Sequence, residues 1–230
     1  MTDAPPPNSP IRAVTFDLDG LMFNTEILYQ QVGTTVLARR GKQASGELFN
    51  QMMGRKSNVA LQIMIDWHDL DITVEDLAAE SAEVMGGLLE DQLEPMPGLL
   101  ELLDALEAAG VPKGIATSSG RGFVDRVLEQ SRVGPRMDFS LTSEDIEHGK
   151  PAPDVYLLAA KRHGVEPAEM LVLEDSQIGC AAAVAAGAYA VAVPAGQSEQ
   201  HDFPGAAFEA QSLADARIYA VLGLPAPASS

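Results

Sequence analysis

Val14-Thr15-Phe16-Asp17-Leu18-Asp19-Gly20 sets an apolar run directly against two carboxylates one residue apart, followed by a glycine. Side chains at i and i+2 of an extended segment point the same way, so Asp17 and Asp19 face one common site. Two anions held that close repel each other, and either one keeps a proton or a cation sits between them. Magnesium suits the pair, because it favours carboxylate oxygens and retains several waters. Carboxylates so placed also suit phosphoryl transfer, one as nucleophile and the other handling protons. An isolated Asp-x-Asp is more often a solvated acidic turn, so the remainder of the chain decides.

Upstream, residues 11–16 are apolar apart from Arg12 and Thr15, and predict a buried strand. Downstream the pattern is helical as far as Glu94, with helices expected over about 27–40, 46–53, 57–68 and 74–93. Asn24 or Thr25 can cap the first, and Thr73 with Asp76 can open the last. Glu94-Pro95-Met96-Pro97-Gly98 then breaks the helical period. Crossings near Met22-Asn24 and Pro95-Pro97 would tether the insert and can act as a hinge over Asp17.

Beyond Gly98 helices and strands alternate. Helices are expected over 99–109, 122–131, 153–163 and 178–186, and strands over 111–117, 139–142, 170–173 and 189–193. That order predicts an α/β fold, a doubly wound Rossmann-like parallel sheet core with an inserted all-helical cap domain. The expected division is a core of residues 11–23 and 95–224, a cap of 24–94, and loose tails at 1–10 and 225–230.

The 33 acidic residues exceed the 15 basic ones for a net charge of −18, which argues against nucleic acid or an anionic membrane as partner. An anionic substrate would have to meet its positive charge locally. Cys180 is the one cysteine, so no internal disulfide is possible, and a small buried role in a reducing compartment is expected. The polar, proline-rich start lacks the basic region and apolar core of a signal peptide. A cytoplasmic monomer is expected.

In a doubly wound sheet, ligands gather outside the carboxyl ends of the strands, and polar residues cluster at those ends here. Thr117-Ser118-Ser119-Gly120 follows one predicted strand and opens a helix, where hydroxyls and free N–H groups accept anions. A plain helix cap would need only one of these hydroxyls. Gly149-Lys150-Pro151-Ala152-Pro153-Asp154 holds Lys150 extended just before a helix, placed to neutralise a phosphoryl group and the crowded acids. Leu171-Val172-Leu173-Glu174-Asp175-Ser176 delivers two more acids after a buried strand. Asp175 is placed to complete a metal shell with Asp17, Glu174 to ligate or orient ligand waters, and Ser176 to cap a helix.

Taken together, Phe16-Asp17-Leu18-Asp19-Gly20, Thr117, Gly149-Lys150-Pro151-x-Pro153 and Leu173-Glu174-Asp175-Ser176 resemble the four ordered motifs of the haloacid dehalogenase superfamily. The resemblance covers roughly residues 11–196, and the insert looks like that superfamily's small helical cap. It implies Asp17 as the nucleophile that forms an aspartyl phosphate and Asp19 as the acid and base. It implies that Thr117 and the Ser118 backbone bind phosphoryl oxygens and that Lys150 stabilises charge, with Ser119 of the same cluster a further candidate for binding substrate. Mg²⁺ would be held by Asp17, the Asp19 carbonyl and Asp175, with Glu174 beside them. The second aspartate of the first motif, absent from true dehalogenases, points to phosphate chemistry. Relatives commonly read Asp-Thr-Glu where this chain has Asn24-Thr25-Glu26.

In the expected cap, Met53-Gly54-Arg55-Lys56-Ser57 offers Arg55 and Lys56 to a distal substrate anion, or merely a basic helix start on the solvent face. Related phosphomutases usually show Gly-x-Ser-Arg in this turn. The order here looks more like the phosphatases, including the pseudouridine monophosphatase type. The reading is a Mg²⁺-dependent phosphatase of small phosphorylated metabolites, sugar or nucleotide monophosphates. A β-phosphoglucomutase-like phosphomutase is the alternative, and a catalytically inactive metabolite-binding protein is a third.

Overall fold

Apolar runs too short for a helix and too continuous for one wet face become strands covered on both sides. The computed structural model describes residues 4–226 and shows this for β1 (Ala13–Phe16), every residue of which is buried. The later strands are β2 (Lys113–Ala116), β3 (Ser140–Leu141), β4 (Met170–Glu174), β5 (Tyr189–Ala192) and β6 (Phe208–Glu209). They form one parallel sheet in the order β3-β2-β1-β4-β5-β6. The chain therefore winds outward from β1 in both directions, and the switch of direction falls between β1 and β4, where such sheets bind ligands.

Between β1 and β2 run α1 (Thr25–Ala38), α2 (Gly46–Met52), α3 (Ser57–His68) and α4 (Val74–Gln92), then α5 (Leu99–Ala108). The rest are α6 (Arg121–Ser131), α7 (Asp154–His163), α8 (Gln177–Ala185) and α9 (Ala216–Val221). Val155, Tyr156 and Ala159 of α7 and Ala182 and Ala183 of α8 pack on Met170 and Val172 on one face of the sheet. Leu102 and Leu106 of α5, Val124 and Val127 of α6 and Ile218 of α9 share the core of the other face with Val14, Phe16, Leu171 and Leu173. Alternate residues of one strand thus feed opposite layers, as the pleat requires. No helix among the described residues is long and apolar enough to cross a membrane.

Several expectations shift. β1 begins at Ala13 and β2 at Lys113, because the preceding residues only lead into the sheet. β4 extends through Glu174, so that acid belongs to the strand rather than to the loop after it. β6 and α9 had no counterpart in the sequence reading, since a two-residue strand and a six-residue helix carry too little periodicity to register. Residues 1–3 and 227–230 of the expected tails lie outside the described residues, while the Pro5 carbonyl accepts a hydrogen bond from the Tyr189 hydroxyl. Cys180 is buried and unpaired, as expected.

Asn24 does not cap α1 with its side chain. It spans the two crossings of the insert instead, Nδ2 donating to the Gln92 carbonyl at 2.9 Å and Oδ1 accepting from the Glu94 N–H at 2.9 Å. Its own N–H donates to the Glu94 carbonyl at 3.1 Å. An aspartate keeps the acceptor end but turns a second oxygen toward the Gln92 carbonyl. Asn24→Asp is therefore expected to lower stability by about 1 kcal/mol, read as a lower urea midpoint at unchanged slope; an unchanged midpoint would show that the amide does not hold the crossings together.

Candidate active site

Each strand end delivers one part of a shared cluster. Asp17 leaves β1 with its N–H still donating to the Leu173 carbonyl at 3.0 Å, which locks it beside β4. Lys150, in the loop before α7, reaches back under the sheet edge. Its ammonium donates to Asp17 Oδ1 at 2.5 Å, Glu174 Oε1 at 2.6 Å and the Ala116 carbonyl at 3.1 Å. An ammonium has three protons to give, and this one has an acceptor for each. Burial works against its charge, but Asp17 and Glu174 outweigh burial and hold the group above its ordinary value.

Glu174 is completely buried and fully engaged. Oε1 also accepts from the Tyr156 hydroxyl at 2.7 Å, and Oε2 accepts from the Ser176 N–H and hydroxyl at 3.1 and 3.0 Å. The Ser176 hydroxyl in turn caps α8 by accepting from the Gly179 N–H. Asp19 is held by hydroxyls alone: Thr25 donates to Oδ1 at 2.8 Å, and Thr117 and Ser119 donate to Oδ2 at 3.0 and 2.7 Å. Among the described residues, no acceptor lies within hydrogen-bonding reach of the Ser118 N–H, while its hydroxyl donates to the Gly54 carbonyl at 2.9 Å. Gly20 turns the chain at φ +78, and a Cβ there would fall 2.4 Å from Asp175 Oδ2.

Asp17, Asp19, Thr117, Ser118, Ser119, Lys150 and Asp175 all line one cavity of about 260 Å³, roofed by α1 to α4. The two basic residues of the roof part company. Arg55 lines the cavity, with Nε donating to the Gln51 carbonyl at 2.7 Å. Lys56 lies outside it and donates to the Glu147 carbonyl at 3.3 Å, bridging insert and core. Two wall residues were not singled out by the sequence reading. Glu26 had only its place beside Asn24 and Thr25 to draw notice, and Tyr29 had no signal beyond the period of α1.

The sequence model of one family, described as haloacid dehalogenase-like hydrolase, matches residues 14–193, which includes every element of this cluster. The chain belongs to that family. This hydrolase is 35% identical to the probable pseudouridine-5′-phosphatase of Drosophila melanogaster, over 95% of this chain and 98% of that one. It is 31% identical to a fructose-1-phosphate phosphatase of Escherichia coli, over 77% of this chain and 94% of the other. The fold of CbbY from Rhodobacter sphaeroides, solved with phosphate, matches with a TM-score of 0.77 at 22% identity, covering 88% of this chain and 95% of that one.

The donor set fits a divalent cation. Asp17 and Asp175 present oxygens within 4.8 Å of each other and of Glu174, whose own oxygens are already taken by Lys150, Tyr156 and Ser176. The Asp175 carboxylate accepts no hydrogen bond from the described residues and faces the cavity. Burial, with repulsion from Glu174 and Asp17 behind it, raises the Asp175 pKa well above the ordinary carboxylate value. Burial likewise pushes Asp17 up to about 8, beyond what Lys150 takes back. One ammonium is too little positive charge for this many buried acids.

That imbalance fixes a sign. An acid whose folded pKa is raised keeps its proton in the native state where the unfolded chain has lost it, so stability falls as pH climbs through the interval. In chelator, this hydrolase is expected to melt at progressively lower temperature between about pH 5 and about pH 8. A divalent cation should raise its melting temperature more at the alkaline end than at the acid end. A cation effect of equal size across that range would mean these acids are not its ligands.

Proposed function

We propose that this hydrolase is a Mg²⁺-dependent phosphatase of small phosphorylated metabolites, acting through an aspartyl phosphate on Asp17. The observation that carries the reading is the single ammonium of Lys150 joining Asp17 to Glu174, beside Asp175 and under one cavity. The relatives named as phosphatases of pseudouridine 5′-phosphate and fructose 1-phosphate support the same chemistry.

Lys150 takes Asp17 Oδ1, so attack on phosphorus falls to the other carboxylate oxygen. As that oxygen–phosphorus bond forms, the bond to the leaving oxygen breaks, and Asp19 supplies the proton that turns it into an alcohol. Burial raises the Asp19 pKa against the three hydroxyls that lower it, which suits an acid that must carry a proton. Asp19, now a carboxylate, takes a proton from water as the water oxygen attacks phosphorus. The Asp17–phosphorus bond then breaks, and phosphate leaves. The Ser118 N–H is the group free to hold a phosphoryl oxygen, whereas the Thr117 and Ser119 hydroxyls spend their protons on Asp19 and orient that acid instead. Mg²⁺, held by Asp17, Asp175 and the Asp19 carbonyl, would supply the positive charge that draws phosphoryl oxygens into an acidic pocket. Glu174, with every lone-pair direction taken, orients Lys150 rather than ligating.

A phosphomutase must also hold a second phosphate in its cap. Lys56 is turned away onto Glu147, and Arg55 is the one basic roof residue on the cavity, which favours hydrolysis.

Asp17→Asn is expected to reduce phosphate release by more than about 10⁴-fold with the fold intact, and Asp19→Ala by about 10²- to 10⁴-fold. Near wild-type release from the Asp17 variant would require another nucleophile. Chelation should silence the enzyme reversibly, and Mg²⁺ should restore it. Supplied with β-glucose 1-phosphate and catalytic glucose 1,6-bisphosphate, it should form free phosphate; glucose 6-phosphate without free phosphate would make it a mutase.

A further inference from the structure

The upper part of the cavity is built unlike its floor. Four of the chain's nine methionines, Met52, Met53, Met64 and Met85, converge on it from α2, the turn after it, α3 and α4. Phe49 of α2 and Phe123 of α6 face the same space, the latter with its ring centroid 5.4 Å from that of Tyr29. Methionine side chains are flexible and polarizable, make favourable contacts with ring edges, and adapt to the shape of what they enclose. Aromatic walls add offset or edge-on packing for a planar guest. Gly33 of α1 keeps that wall thin, because a Cβ there would meet the Phe49 ring at 2.7 Å and Met64 Cε at 3.2 Å.

The polar side chains of these walls are Glu26, Tyr29, Arg55, Ser57 and Ser81, of which Tyr29 is already bonded to Ser119 and Arg55 Nε to the Gln51 carbonyl. The Ser81 hydroxyl oxygen is fully buried with no hydrogen-bond partner among the described residues, and Ser81 lines the cavity. A buried hydroxyl without a partner costs stability unless something bonds to it. With so little of its surface open, that oxygen is no contact for a guest, and the wall at Ser81 presents its apolar atoms. A polyhydroxylated sugar would bring several hydroxyls into walls of methionine and phenylalanine, where most would lose water without regaining a partner.

We propose that the substrate is a phosphomonoester whose alcohol carries a compact aromatic or heteroaromatic body, gripped by the methionine and phenylalanine roof and chosen over polyhydroxylated sugar phosphates. The inference rests on the phosphatase reading above, with the roof setting what the floor hydrolyses. Its specificity is apolar in kind, set by Met52, Met53, Met64, Met85, Phe49 and Phe123.

Benzyl phosphate and glucose 6-phosphate both leave as primary alcohols, so their difference in kcat/KM reads the pocket rather than leaving-group reactivity. With Mg²⁺, benzyl phosphate should be favoured at least tenfold, chiefly through a lower KM. Benzylphosphonate should compete with substrate at least tenfold more tightly than methylphosphonate, a measurement on the unaltered protein. Met64→Gln, which sets an amide into the roof, should shrink the benzyl-over-glucose ratio at least fivefold. Equal or reversed preference, or phosphonates of equal strength, would overturn the inference while leaving the phosphatase standing. Phosphate released from neither ester, nor from acetyl phosphate, would overturn both.

Discussion

The contact on which the site depends is the buried ammonium of Lys150, shared at 2.5 and 2.6 Å between Asp17 and Glu174. A buried ion pair repays its desolvation only when geometry is good and the remaining lone pairs and protons are satisfied. Here the third ammonium proton goes to the Ala116 carbonyl, and Tyr156 and Ser176 saturate Glu174. The Tyr156 ring also lies 5.0 Å from the ammonium, a contact that favours the cation. Residues from β1, β2, β4, α7 and the loop before it therefore meet at one nitrogen. Moving any of these elements would leave a charge buried without its partner, so the pair ties the tertiary structure to the position of Asp17.

The helical insert meets the core through a second, looser set of bonds. Gly54, at φ +70, lets the turn between α2 and α3 approach α8 so closely that a Cβ would come within 2.7 Å of Ile178. From that turn the Gly54 carbonyl accepts from Ser118 and Lys56 donates to Glu147. These bonds are few and partly exposed, whereas those below the cavity are buried and crowded. Insert and core are nonetheless continuous in their packing, since Leu28, Val32 and Leu89 of the insert share one buried cluster with Phe16 and Val124 of the core.

Much of this was legible in the chain because the signals are local. A largely apolar run followed by Asp17, a helix period from Thr25 onward, and the Pro95 and Pro97 break each depend on neighbours in sequence, and the elements appear where these fall. The meeting of Asp17, Lys150 and Asp175 followed from the parallel topology, which puts strand ends on one edge. What stayed illegible depends on side-chain direction. Adjacent residues Arg55 and Lys56 look equivalent in sequence, yet one lines the cavity and the other bonds to Glu147. Asn24 reads as a helix cap because asparagine often is one, but its amide is recruited by Gln92 and Glu94, about seventy residues away. Nothing local marks Tyr156, three residues past Pro153, as the partner of Glu174.

The net charge of −18 gives these placements their consequence. A phosphate dianion approaching the chain meets repulsion on average, and screening limits it to roughly 10 Å at ordinary ionic strength. Within that distance the site offers an ammonium already committed to carboxylates, an N–H at Ser118, and acids in excess of their counter-charge. Apart from Arg55 on the roof, the protein alone therefore does little to make the pocket attractive to an anion. A divalent cation held as proposed above would reverse the local sign at the floor of the cavity, leaving the methionine and phenylalanine walls only the uncharged end of an ester to meet.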